Sequence, residues 1–177
     1  MKNWLKIFLF CFISLVFIGC DRITKDLAKQ HLMYRTPKSY FHNTVVLEYV
    51  ENTGAALSLG DGLSKPVSFW LLSMLPLAFL LILFVYTIIK IREFSTLKLL
   101  ALSLIIAGGI GNIIDRIFFD RHVTDFMNVG ISNIRTGIFN VADMCVTAGV
   151  IAFLFTYREK PKAEPVMATD HTEDERS

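Results

Sequence analysis

Residues 138–157 read Ile-Phe-Asn-Val-Ala-Asp-Met-Cys-Val-Thr-Ala-Gly-Val-Ile-Ala-Phe-Leu-Phe-Thr-Tyr, with Asp143 as the single charged side chain. A helix that crosses a bilayer needs roughly 20 mostly apolar residues. A carboxylate inside such a stretch is costly and is by default a functional candidate. This run therefore sets the fold class and also says where to look for chemistry.

Outward from it, three more apolar runs appear. Spans are expected over about 4–20, 67–89, 97–114 and 138–157. The chain has 177 residues, 53% of them hydrophobic and only 19% charged, with a mean hydropathy of +0.49. A soluble domain of this length carries more charge than that. The expected fold is a membrane all-α bundle of four transmembrane helices with a small extracytoplasmic β-sheet. Residues 1–157 form one domain, and the polar, Pro-containing tail 158–177 is read as disordered. The start of the chain has a competing reading. Lys2 and Lys6 followed by Phe17-Ile18-Gly19-Cys20 look like a secretory signal ending in a lipidation site. Phe17 is bulky for such a site, so a permanent first helix is expected.

Four spans put both termini on the side of the short loop 90–98. Lys2, Lys6, Lys90, Arg92, Lys98, Arg158, Lys160 and Lys162 crowd the span ends there. That density places the termini in the cytoplasm, with loops 21–65 and 115–137 outside. The outer sheet is expected from the strand-like Val45–Glu51 and from Met127–Ile131.

Other classes are poorly supported. A net charge of +2 does not suggest nucleic acid. Three cysteines with no paired spacing give neither a disulfide framework nor a zinc motif. The four histidines lack metal-ligand spacing, and no serine sits in a nucleophile elbow. No metal and no cofactor is expected.

Polar residues at helical spacing remain. Asn112, Asp115 and Arg116 share a helix face, as do Asn140, Asp143 and Thr147. The first group reads most simply as a polar helix end with an exposed ion pair. Asp21 and Lys25, four apart, read as a surface pair worth a few tenths of a kcal/mol. Asp125 alone reads as a loop residue. Together with Asp143 it reads differently, because the fourth helix returns beside the third. Two carboxylates brought together can share a proton and hydrolyse an amide. Asn52-Thr53-Gly54-Ala55-Ala56 offers a turn followed by small residues. Gly108, Gly109 and Gly111 allow close helix contact, so the third helix should lie centrally.

Five blocks then carry a resemblance. They are Asp21-Arg22-Ile23-Thr24-Lys25, Glu51-Asn52-Thr53-Gly54-Ala55-Ala56-Leu57-Ser58, Gly111-Asn112-Ile113-Ile114-Asp115-Arg116, Val123-Thr124-Asp125-Phe126 and Phe139-Asn140-Val141-Ala142-Asp143. In this order and spacing the chain closely resembles the bacterial lipoprotein signal peptidases (signal peptidase II). The resemblance implies a membrane aspartic endopeptidase with an outward-facing site. It implies cleavage N-terminal to a diacylglyceryl-modified cysteine of prolipoproteins, with Asp125 and Asp143 as the catalytic pair. Asp21, Lys25, Asn52, Gly54, Asn112, Arg116 and Asn140 match other functional positions of that family. The expected partners are diacylglyceryl-modified prolipoproteins and membrane lipid, and a monomer is expected. The alternative from another class is a small proton-coupled transporter, whose carboxylates should lie nearer the midplane.

Overall fold

The computed structural model describes residues 2–54, 60 and 62–156. Ala56 and the tail 158–177 lie outside the described residues. Helix α1 spans Asn3–Leu32 and continues twelve residues beyond Cys20, where the apolar run stops. Polarity changes there, but the backbone signal does not. The pairs Arg22–Asp26 and Lys25–Asp21 sit four apart, and no proline intervenes before Pro37. The helix ends where Met33 turns extended and Tyr34 takes a φ of 59°.

Helix α2 spans Lys65–Ile89. Pro76 lacks the N–H that the regular ladder needs, and the helix accommodates it with a π turn over Trp70–Met74. The Leu75 N–H there reaches back five residues to the Trp70 carbonyl. Helix α3 spans Thr96–Phe118, begun by Ser95, whose hydroxyl accepts from the Lys98 N–H. Helix α4 spans Val141–Thr156.

Three helices, α1, α2 and α3, are long and apolar enough to cross a membrane, and α4 has 16 described residues. Burial is inverted relative to a water-soluble bundle. Leu15, Ile82, Ile89 and Leu154 are exposed on the outer helix faces, whereas Ser14, Ser103, Lys25 and Asp115 are buried. Such a surface belongs in lipid.

Helix α3 is the hub, packing on α1, α2 and α4. Its contact with α4 is close because glycines face backbone across it. A Cβ on Gly108 would stand 2.2 Å from the Ala142 carbonyl oxygen, and one on Gly149 would stand 2.8 Å from that of Ala101. Phe10, Leu80, Leu99, Leu102, Ile106 and Ile113 form the apolar centre of the bundle. At the N-terminal end of α1, the Lys6 ammonium donates to the carbonyls of Ile91, Arg92 and Phe94, closing the turn between α2 and α3. The first helix is thus built into the fold along its whole length.

Among the described residues, four strands form one antiparallel sheet in the order β1 (Lys38–Tyr40), β2 (Val45–Asn52), β3 (Val123–Ile131) and β4 (Ile134–Arg135). Strand β2 holds the expected Val45–Glu51 segment. Strand β3 begins four residues before the expected Met127, which moves Asp125 from loop into strand. Its partner across the ladder is Val50, beyond an irregularity between Leu47 and Val50. Phe126 packs on Ala28 and Leu32, fixing the sheet against the polar half of α1.

Candidate functional site

The site is assembled around the start of α4. Asn140 is its N-cap. The Asn140 side-chain oxygen accepts from the Asp143 N–H at 2.9 Å, while an Asp143 carboxylate oxygen accepts from the Asn140 N–H at 3.1 Å. This reciprocal capping box satisfies two otherwise unpaired donors and locks the Asp143 side chain to its own helix end. Asp143 therefore stands in the first turn, clear of the apolar body of α4.

The Asn140 amide nitrogen faces the other way. It donates to Asp125 at 2.6 Å, and lies 3.1 Å from the Asn112 side-chain oxygen and 3.3 Å from the Thr124 carbonyl. Asn140 is fully buried, so these contacts are not shared with solvent. Asn112, nearly two turns before the end of α3, donates to Asp143 at 2.8 Å. Asn52, at the end of β2, donates to the second Asp125 oxygen at 3.2 Å and accepts from the Gly54 N–H. Two strands and two helices thus bring Asp125, Asp143 and three asparagines together.

Burial is the main reason that the Asp125 carboxyl is pushed up to about 6, with the negative charge of Asp143 adding to it. The hydrogen bonds from Asn52 and Asn140 act in the opposite direction. Both carboxylates line a cavity of about 770 Å³. Its polar end is formed by Asn52, Asn112, Arg116 and the two aspartates; its apolar wall includes Phe139, Val146 and Ile151. Arg116 spans the rim. One terminal nitrogen donates to the Gly54 carbonyl at 2.9 Å, and the buried Nε has no hydrogen-bond partner among the described residues. Thr147 also faces this cavity.

Behind the cavity is a buried ion cluster. Lys25 is wholly buried, 2.7 Å from Asp21 and 2.8 Å from Asp115, and it donates to the Asn112 side-chain oxygen at 3.0 Å. That contact turns the Asn112 amide so that its NH₂ points to Asp143. The other Asp21 oxygen accepts from the Ala142 N–H at 2.8 Å, a cap supplied to α4 by α1. A Cβ on Gly111 would meet Asp21 at 2.7 Å, so this approach requires glycine.

Two sequence readings are corrected here. Asp21–Lys25 is not a surface pair, and Asp115 is not an exposed helix-end charge; both are buried, and Arg22 completes the cluster by donating to Asp115 at 2.6 Å. Asp115 and Arg22 were missing from the expected site. Their position one turn beyond lipid-spanning runs was the available signal, since charges at that depth are paired or lost. Among the described residues no group of three His, Cys, Asp or Glu side chains could hold a metal ion.

The fold and site define a multi-pass membrane protein with two neighbouring carboxylates on one cavity. The family model for signal peptidase (SPase) II matches residues 13–158. A lipoprotein signal peptidase of Enterococcus faecalis is 34% identical over 149 residues, covering 82% of this chain and 84% of that protein. One of Borreliella afzelii is 31% identical, covering 86% and 89%. A solved structure described as a bacterial membrane enzyme is 27% identical, with a TM-score of 0.71, and covers 89% of this chain and 94% of that one. The chain belongs to the signal peptidase II family, and with that it is a membrane-embedded protease.

Proposed function

We propose that the protein is an aspartic endopeptidase that removes signal peptides from diacylglyceryl-modified prolipoproteins, cutting N-terminal to the lipidated cysteine. Asp125 and Asp143 are its catalytic pair. The observation that carries this reading is Asn140, which is hydrogen-bonded to both aspartates while both line one cavity. Two carboxylates on one cavity hold one proton between them up to about pH 6. Burial favours Asp125 as its holder. The ionised partner takes a proton from water as the water attacks the scissile carbonyl. The protonated partner gives its proton to the carbonyl oxygen as the tetrahedral intermediate forms. Collapse breaks the C–N bond, and the amine leaves with a proton from the pair.

The remaining residues have supporting roles. Asn112 and Asn140 hold the carboxylates in place, and Lys25, through Asn112, keeps that amide oriented. Asp21 anchors the start of α4. Arg116, on the cavity lining, is a donor for substrate backbone, and Asn52 with Gly54 shapes the rim. Ala56 is assigned to close approach of the substrate. The apolar wall suits acyl chains or the apolar residues before the cysteine. Four spans, cytoplasmic termini, an extracytoplasmic sheet that cradles substrate, and monomeric action in the bacterial inner membrane complete the reading. A proton-coupled transporter fits less well, because Asp143 lies in the first turn of α4 and Asp125 in a strand, away from any midplane.

The test is cleavage of a lipidated prolipoprotein by purified protein in detergent, beside the same polypeptide without lipid. Burying a CH₂ is worth about 0.8 kcal/mol, and part of that binding holds the scissile bond in place. Fast cleavage of the lipidated form alone is expected. Equal rates on both would remove the lipid from the reading, and no cleavage of either would remove the activity.

A further inference from the structure

A second cavity, of about 240 Å³, lies on the opposite face of the β2–β3 ladder. Successive strand residues point to opposite faces. Asn52, Val123 and Asp125 line the dyad cavity, whereas Glu51 and Thr124, themselves register partners, line this one. No residue lines both. The second cavity stands where α1 and α3 pass from apolar to charged sequence. Arg22, Asp26 and Lys29 follow the apolar run of α1, and Phe119 is one residue past α3. That is the headgroup level of a bilayer. Ile23, Leu27 and Phe118, adjacent in sequence to lining residues, are exposed apolar side chains.

The lining presents both charges, with capacity left on each. Arg22 binds Asp115 and Asp26 through its terminal nitrogens and stands 4.9 Å over the Phe119 ring, and its buried Nε has no partner among the described residues. Lys29 forms no ion pair among the described residues. Asp26 engages Arg22 through one oxygen, and Glu51 engages the Tyr49 hydroxyl through one oxygen. Its other oxygen is 4.0 Å from His122.

We propose that this cavity binds the headgroup of a phosphoethanolamine membrane lipid. The phosphate sits on the Lys29 ammonium, beside the Arg22 guanidinium. The lipid's ammonium donates to the second oxygens of Asp26 and Glu51, and the acyl chains run down past Ile23 and Phe118. A choline headgroup has no N–H to donate, and a glycerol headgroup has no cation, so both leave the two carboxylates unmatched. Arg22 also belongs to the buried ion cluster, which puts the bound lipid in contact with the scaffold behind the dyad.

The readout is lipid retention, independent of peptide cleavage. Native mass spectrometry of the purified protein, given equimolar phosphatidylethanolamine, phosphatidylcholine and phosphatidylglycerol with identical acyl chains, should show the first retained about tenfold over the others, the scale of one charge-assisted hydrogen bond. Glu51→Gln, which leaves Asp26 as the remaining carboxylate, should reduce the preference over phosphatidylcholine. Lys29→Gln should lower phosphatidylethanolamine retention about tenfold. Both positions are exposed, and thermal unfolding checks the fold; should Glu51→Gln unfold, Lys29→Gln decides alone. Equal retention of the three lipids, preference for phosphatidylglycerol, or unchanged retention in folded variants would overturn the assignment. Displacement of the lipid by soluble O-phosphoethanolamine at equal concentration would overturn the membrane as its source.

Discussion

The Lys25 ammonium lies 2.8 Å from the Asp115 carboxylate, and neither side chain reaches solvent. Removing one partner of a buried pair leaves an uncompensated charge, at a cost of roughly 3–5 kcal/mol. Lys25→Met and Asp115→Asn should each lower the unfolding temperature strongly in detergent. The exposed pair Lys65–Asp120 is the control, and Lys65→Met should leave that temperature nearly unchanged. Thermal unfolding of the three variants side by side decides whether the cluster is the scaffold described here.

The dyad has its own signature in a double substitution. Asp125→Asn and Asp143→Asn keep side-chain size but remove the titrating proton. Each should abolish cleavage of a lipidated substrate in protein that remains folded. The double variant should be hardly worse than either single one, because the pair works as a unit. Substantial turnover by a well-folded single variant would end the two-aspartate mechanism.

Stability should carry the imprint of Asp125. Its carboxyl is raised from 3.8 to about 6 on folding. The native state therefore holds its proton over a range where the unfolded chain has lost it. The contribution to stability is fully present below pH 4 and is lost as pH rises through about 6, up to about 3 kcal/mol in all. Asp125→Asn lacks this group, so its unfolding temperature should rise relative to wild type between pH 4 and pH 7. Parallel curves for the two proteins over that window would contradict the assignment.

Helix contact is tested at two glycines. Gly108→Ala places a methyl 2.2 Å from a backbone oxygen of α4, which must move. Overpacking of this kind costs roughly 1–3 kcal/mol. Gly19→Ala meets nothing within 4 Å and should leave packing untouched. Unfolding measurements on both variants separate close approach from a general effect of glycine replacement.

Activity should persist in chelator. The proposed steps use only carboxylates and water. Loss of turnover in EDTA, with recovery on adding a divalent cation, would speak against them.

The sequence determined the apolar runs, the strand in Val45–Glu51 and the pairing of interest between Asp125 and Asp143, because hydropathy, β-branching and side-chain chemistry are local properties. Helical spacing also put Asn140 on the face of Asp143, whereas Asn112 was tied to the site only by the family resemblance. The tertiary structure alone decided which charges leave water. Asp21 and Lys25 look the same in sequence whether their helix face meets solvent or meets α3 and α4. Only packing put them at 2% and 0% exposure beside Asp115. The Asn140 capping box and its contact with Asp125 depended likewise on where β3 begins and how α4 enters. Local sequence sets what a residue can bond to; the crossing of α1, α3, α4 and β3 set which partners were within reach.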